Sequence, residues 1–217
     1  MSIAWLLLSL LAPIQVPAIW QGQVKLDLKD GNKVSGWLTC SLQLGANGEL
    51  TKLMTISPKD GSSALTFREI RSKTGEPKRE SFLFLNGGAF STGVEVDFGP
   101  QLMTISTMSN GKRRSNTGKI PPGTILKAPS GFWFVRDHPN PGTTVSFDQF
   151  DMISMKWKRV RETYIGEETL TIKNRQVKAH KIQTTENVQW VDAHGLPYRL
   201  EYTLEYTLPH KSTFERE

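Results

Sequence analysis

The chain has 217 residues, a formal net charge of +6 and one cysteine. That length suits one domain, or at most two small ones, large enough to fold without disulfide or metal staples. Apolar residues make up 37% and charged residues 22%, which excludes a disordered tail and a polytopic membrane protein, and a single cysteine excludes an internal disulfide framework and any multi-cysteine zinc site.

Met1 to Trp20 carries no charged side chain, and Ile3 to Ala12 is almost wholly apolar. Ten helical residues rise only ~15 Å, half of a ~30 Å hydrocarbon core. Pro13 and Pro17 then stop a helix. Val16-Pro17-Ala18 places small residues before a cut after Ala18, so residues 1–18 are expected to be a secretory signal peptide. No Lys or Arg precedes the apolar run, and the alternatives are a buried N-terminal helix or an uncleaved anchor. Export predicts a periplasmic or extracellular protein.

From Gln21 onward the hydrophobic period is two. Val24, Leu26 and Leu28 alternate with Lys25, Asp27 and Lys29, and Asp30-Gly31-Asn32 turns the chain. Val34 to Leu44 resumes the pattern and puts Cys40 on its apolar face, as a buried thiol rather than a reactive one. Strands follow over Leu50 to Ser57, Ala64 to Arg71, Ser81 to Leu85, Val94 to Phe98 and Leu102 to Met108. Gly87-Gly88 and Gly93 bracket a break, and Ser109-Asn110-Gly111-Lys112 is a hairpin signal.

Residues 119–142 hold five prolines and form a long irregular connection. Its one apolar knot, Phe132-Trp133-Phe134-Val135, is expected to be a short buried strand, with a ligand-facing lid as the alternative. Met152 to Ile165 alternates up to a break at Gly166, and Lys173-Asn174-Arg175-Gln176 joins a hairpin. After a turn at Asp192-Ala193-His194-Gly195, Leu196, Tyr198, Leu200, Tyr202, Leu204, Tyr206 and Leu208 alternate with residues that are polar apart from Pro197. Extended at ~3.4 Å per residue, that run spans ~44 Å, which suits a strongly twisted or coiled antiparallel sheet. The expected fold is therefore mainly β: one large curved antiparallel sheet, a half-barrel or open barrel, with little helix outside the leader and a single domain over 19–217.

No motif supplies catalysis. Gly-x-Ser-x-Gly and His-Glu-x-x-His are absent, and the four histidines lie far apart. Asp137-His138 lacks a paired nucleophile. The nearest carboxylate pairs are Asp148 and Asp151, Glu167 and Glu168, and Glu201 and Glu205, which solvated strand faces explain. No catalytic residue, metal ligand or cofactor is expected. Basic residues gather at Lys112-Arg113-Arg114 and around Trp157, where Lys156 and Lys158 fall on the opposite strand face from Arg159 and Arg161. An exported protein meets anionic envelope surfaces before nucleic acid, so the former is the expected contact and the latter is not.

Trp190-Val191-Asp192-Ala193-His194-Gly195-Leu196-Pro197-Tyr198-Arg199 resembles the Trp-x-Asp-x-x-Gly-x-Pro-x-Arg hairpin near the end of some secreted bacterial proteins. These are uncharacterised families related to the LolA/LolB-like lipoprotein-sorting half-barrels. Tyr164 to Glu168 and Gln176 to Ile182 are similar to the preceding hairpins, so the resemblance covers about residues 147–205. It implies a curved sheet whose concave face accepts a lipid or acyl chain. The expected function is an exported, non-enzymatic protein binding a lipid or other apolar ligand against Tyr198, Leu200, Tyr202, Leu204 and Tyr206, with Trp133 and Trp157 as neighbours. The alternatives are an envelope interaction or scaffold module with a solid core and a hydrolase of envelope polymers.

Overall fold

The computed structural model describes residues 18–30, 33–87, 89–127, 133–202 and 212–216. Eight strands come first: β1 Ala18–Asp30, β2 Lys33–Gly45, β3 Leu50–Pro58, β4 Ser63–Arg71, β5 Pro77–Asn86, β6 Ala89–Phe98, β7 Leu102–Ser109 and β8 Lys112–Lys119. A one-turn helix, α1 (Trp133–Asp137), precedes β9 Thr144–Asp151, β10 Lys156–Ile172, β11 Arg175–Thr184, β12 Asn187–Val191, β13 Pro197–Tyr202 and β14 Ser212–Arg216. All pair antiparallel in one sheet of order β8-β7-β6-β5-β4-β3-β2-β1-β14-β13-β12-β11-β10-β9. Two meanders thus run outward from the β1–β14 pair. The expected mainly-β, open curved sheet is what the chain forms.

β8 and β9 are the two ends of the sheet and do not pair with each other. Side chains meet across that gap instead. Buried Val96 and Met103 of β6 and β7 pack with Phe150 of β9, and Phe98, Ile105, Met152 and Trp157 join them. The Trp157 ring lies 5.5 Å from Phe150 and 6.3 Å from Phe98, centroid to centroid, both edge-on, a favoured aromatic geometry. The proline-rich connection covers the β9 edge. Asp148 N donates to Ile125 O, and Ile125 N donates to Asp148 Oδ2, both at 2.7 Å. On β8 the edge is guarded by exposed Lys112, Arg113 and Arg114, the usual defence against edge-to-edge association.

Turn chemistry explains the hairpins. Asn110 and Gly111 both adopt positive φ (49° and 73°) between β7 and β8, and Lys173 and Asn174 do so between β10 and β11 (45° and 63°), as tight hairpin turns require. Gly36 has another role. A Cβ there would sit 2.4 Å from the Ser57 carbonyl oxygen, so this strand glycine permits the close approach of β2 to β3.

Four sequence expectations are corrected. The knot at Phe132–Val135 is not a strand: Trp133 begins α1, and Phe132 lies outside the described residues. In a strand Trp133 and Phe134 would point to opposite faces, whereas the helical turn buries both, at 3% exposure each, in one cluster with Tyr164, Ile182 and Val191. His138 (φ 43°) then leaves the helix in the left-handed region and Pro139 ends it. Gly166 does not break its strand. β10 continues through it with a register shift between Tyr164 and Gly166, at φ 132°, a bulge that glycine tolerates. Nor does Gly93 break a strand, because it lies within β6 opposite Met108. Residues 152–155, expected to begin a strand, turn between β9 and β10.

Candidate functional site: the concave face

Cross-strand register defines the concave face. Leu26, Leu38, Ile56 and Leu65 follow one another across β1 to β4, and one step along, Val24, Cys40, Met54 and Phe67 do the same. Leu26 and Leu38 are fully buried with Leu200 and Phe214, while Val24, Leu28, Met54, Ile56 and Tyr202 pack around them half-buried. Cys40 is a free, buried thiol next to Leu42 and Leu196, and burial raises its pKa above the ordinary value.

The same face carries charge. Lys52 of β3 stands opposite Glu69 of β4, and Glu69 opposite Glu80 of β5. Arg71 donates to Glu69 and to the Gly75 carbonyl (3.0 Å), and lies 3.6 Å from Glu80. From the opposite wall, β10 brings Glu162 within electrostatic reach of Lys52, Glu69 and Arg71. Phe147 of β9 lies under the Arg71 guanidinium at 5.8 Å.

Burial pushes the Glu80 carboxyl up to about 8; the neighbouring Glu69 adds to the rise and Arg71 opposes it. Burial also raises Glu162, with Lys52 opposing and Glu69 reinforcing the rise. Burial depresses Lys52, but Cys40, Glu69, Tyr202 and Glu162 together hold it above its ordinary value. Lys52, Glu162 and Tyr202 all lie deep in the fold and yet keep part of their surface accessible.

Two buried polar atoms at this patch lack partners. Glu80 Oε2 has none, and neither does Trp133 Nε1, whose N–H lies on the Glu162 side and favours that carboxylate without reaching hydrogen-bonding geometry. Buried polar groups are normally satisfied, so two orphans in one place are unusual.

The residues singled out from sequence fall into several groups. Leu200 and Tyr202 share the Leu26–Leu38 cluster. Tyr198 packs against Leu170, Ile172, Ala179 and Trp190, with the Arg216 guanidinium 4.0 Å from its ring centre. Trp133 belongs with Phe134 and Tyr164, and Trp157 closes the seam. Leu204 and Tyr206 lie outside the described residues, as do residues 203–208 of the expected long strand; β13 covers Pro197–Tyr202. The expected leader, residues 1–17 of it, is likewise outside them.

The Trp-x-Asp-x-x-Gly-x-Pro-x-Arg hairpin is structural here. Trp190 Nε1 donates to Glu168 (2.9 Å), and Asp192 Oδ1 accepts from His194 N and Leu196 N (2.9 and 3.0 Å). Asp192 Oδ2 accepts from Arg216 (3.2 Å), and Arg199 donates to Glu215 (2.5 Å). The expected carboxylate candidates have similar duties: Asp148 binds Arg159, and Asp151 caps the turn at Ile153 and Ser154. Around Trp157, Lys158 pairs with Glu186 and Arg159 with Asp148, which offsets the local basic charge. Among the described residues, no cluster of three or more His, Cys, Asp or Glu could hold a metal ion.

The charged patch of Lys52, Glu69, Arg71, Glu80 and Glu162 was not anticipated. Its signal was present: Lys52 shares strand parity with Met54 and Ile56, Glu69 and Arg71 with Leu65 and Phe67, and Glu80 with Phe82 and Phe84. A charge in step with an apolar stripe is a buried charge in waiting.

No protein-family model matches the chain, and no curated protein does. Among solved structures, the chain is similar to a β-barrel-like protein of a domain of unknown function, DUF1849, from Brucella abortus. The match has a TM-score of 0.55 and 10% identity, and covers 93% of this chain and 96% of that one. The likeness is one of fold: a β-barrel-like sheet over nearly the whole chain.

Proposed function

We propose that this is an exported, non-enzymatic protein of the bacterial envelope that holds a lipid or other apolar ligand on the concave face of its barrel-like sheet. The observation that carries the reading is the lining of that face. Val24, Leu28, Met54, Ile56 and Tyr202 remain half-buried around a packed floor, and Tyr202, Lys52 and Glu162 are deep but accessible. A solid core would cover them. A sixteen-carbon chain laid there gains ~0.8 kcal/mol per buried methylene before ordering costs, enough to bind without a dedicated polar motif. The barrel-like relative of unknown function supports the architecture. Kinship with the lipoprotein-sorting half-barrels is part of this reading, with α1 and the proline-rich connection taking the place of their closing helices.

The scaffold alternative draws on the complete burial of Leu26, Leu38 and Val96. Mass spectrometry of organic extracts from the protein purified from its native membrane fraction separates the two. A stoichiometric co-purifying lipid is expected, and repeated preparations free of lipid would favour the solid scaffold.

A further inference from the structure

Among the described residues, five large apolar side chains stand well exposed: Leu102, Ile125, Ile153, Met155 and Ile165. Single exposed apolar residues are ordinary, but grouped ones mark a contact surface. All of these except Ile165 gather at one end of the β8–β9 seam. Phe98 at the end of β6 meets Trp157 at the start of β10, and Met103 and Met152 share their cluster. The β6–β7 turn that leads into Leu102 and the β9–β10 turn that carries Ile153 and Met155 therefore lie side by side. Ile120 N donates to Gln101 O (3.0 Å) and draws the proline-rich connection along the same end. Ile125 of that connection is bound to Asp148, ~10 Å of strand before the end of β9.

Folding gives no reason for this choice of side chains. The β9–β10 turn is held by Asp151, whose Oδ1 accepts from Ile153 N and Ser154 N (2.9 and 3.2 Å). It needs nothing from the Ile153 side chain, which is 71% exposed. Met155 adopts φ 55°, a conformation that glycine or asparagine takes more readily. The charge at this end is one-sided. Lys119 stands opposite Leu102, Lys127 lies just beyond Ile125, and Lys156 follows Met155. All three are exposed, and among the described residues none is in an ion pair. The nearby acids are already engaged: Asp97 by Arg79 (2.6 Å), Asp148 by Arg159 (2.5 Å) and Asp151 by Lys158 (3.7 Å).

A protein partner fits this composition poorly, because lysine is depleted from protein interfaces, and a second copy would set lysines against lysines. An anionic bilayer suits both features. Apolar side chains enter the boundary between headgroups and acyl chains, while lysines stay at the headgroups and meet opposite charge. We propose that the seam end of the molecule, with Leu102, Ile153 and Met155 at its tip and Lys119, Lys127 and Lys156 around them, docks on the surface of an anionic phospholipid bilayer. This contact is separate from the ligand on the concave face and needs no occupant there.

The test uses the protein purified from its native cells, sedimented with vesicles of phosphatidylcholine alone or mixed equally with phosphatidylglycerol. Binding at least ten-fold tighter to the mixed vesicles is expected in dilute buffer. The preference is expected to shrink as salt is raised to ~0.5 M, because exposed charges are then screened within ~5 Å. Ile153→Ser combined with Met155→Gly is expected to weaken binding to the mixed vesicles at least ten-fold without lowering the denaturant midpoint. Lys119→Gln and Lys156→Gln are each expected to weaken it about five-fold, the equivalent of ~1 kcal/mol per lysine near an anionic surface. Equal binding to both vesicles, binding to neither, or binding that the double variant leaves unchanged would overturn the docking surface. So would self-association of the vesicle-free protein that the double variant abolishes, which would assign the tip to a second copy. The wild-type vesicle comparison decides the matter even if a variant does not fold, and the apolar-ligand reading, tested by co-purifying lipid, stands or falls separately.

Discussion

Replacing Glu80 by glutamine is expected to raise stability at pH 9 by on the order of a few kcal/mol and to flatten the pH profile between about pH 4.5 and 8. In the unfolded chain this carboxyl ionises at its ordinary value of 4.5, and in the fold at about 8. Between those values the native state holds a proton that the unfolded state has released. Stability therefore falls as pH rises through this window, at up to ~1.4 kcal/mol per pH unit for one group. The contribution is complete below pH 4.5 and gone above pH 8. The causes are burial and the facing Glu69, with Arg71 as partial compensation. Glutamine keeps the shape and removes the ionisation, so urea unfolding of the two proteins at pH 5, 7 and 9 should diverge with increasing pH. Parallel profiles would mean that Glu80 ionises freely in the fold and that the charged patch is not buried.

The second large effect separates floor from lining. Leu38→Ala is expected to cost about 2–5 kcal/mol, the range for deleting a fully buried leucine. Leu38 has no exposed surface and joins β2 to Leu200 and Phe214 beyond β1. Ile56→Ala, one strand over and directly opposite Leu38, should cost about 1 kcal/mol, because Ile56 is only half-buried and much of its surface already faces accessible space. Denaturant midpoints at constant slope measure both. Equal, large losses would describe a solid core and favour the scaffold reading.

Much of the architecture was legible in sequence because its cause is local. Alternation in Val34 to Leu44 and the Asn110-Gly111 turn depend on neighbours a few residues away, and the strands and hairpin followed. α1 was missed because proline punctuation and a four-residue apolar run fit a strand or a helical turn equally well. What decided it was the distant Tyr164–Ile182–Val191 surface, against which both rings are buried. Gly166 looked like a terminator because the sequence does not reveal that β10 carries an extra residue there as a bulge opposite β11. The charged patch escaped for a related reason. Glu69, Glu80 and Glu162 come from three strands, two of them on opposite walls, and only long-range pairing brings them together. The apolar residues of Leu196 to Tyr202 were read as one surface, but in the fold they pack into three clusters.

The proposed function requires that an alkyl chain enter the barrel-like sheet. A dodecyl probe carrying a terminal diazirine, photolysed with the full chain and mapped residue by residue by fragmentation mass spectrometry, reads this directly. Labelling is predicted at Met54, Ile56 and Tyr202, saturating with probe concentration and competed by unlabelled dodecanol. Labelling confined to the outward residues of the same strand, Leu53 and Thr55, or spread without saturation over the surface, would contradict it.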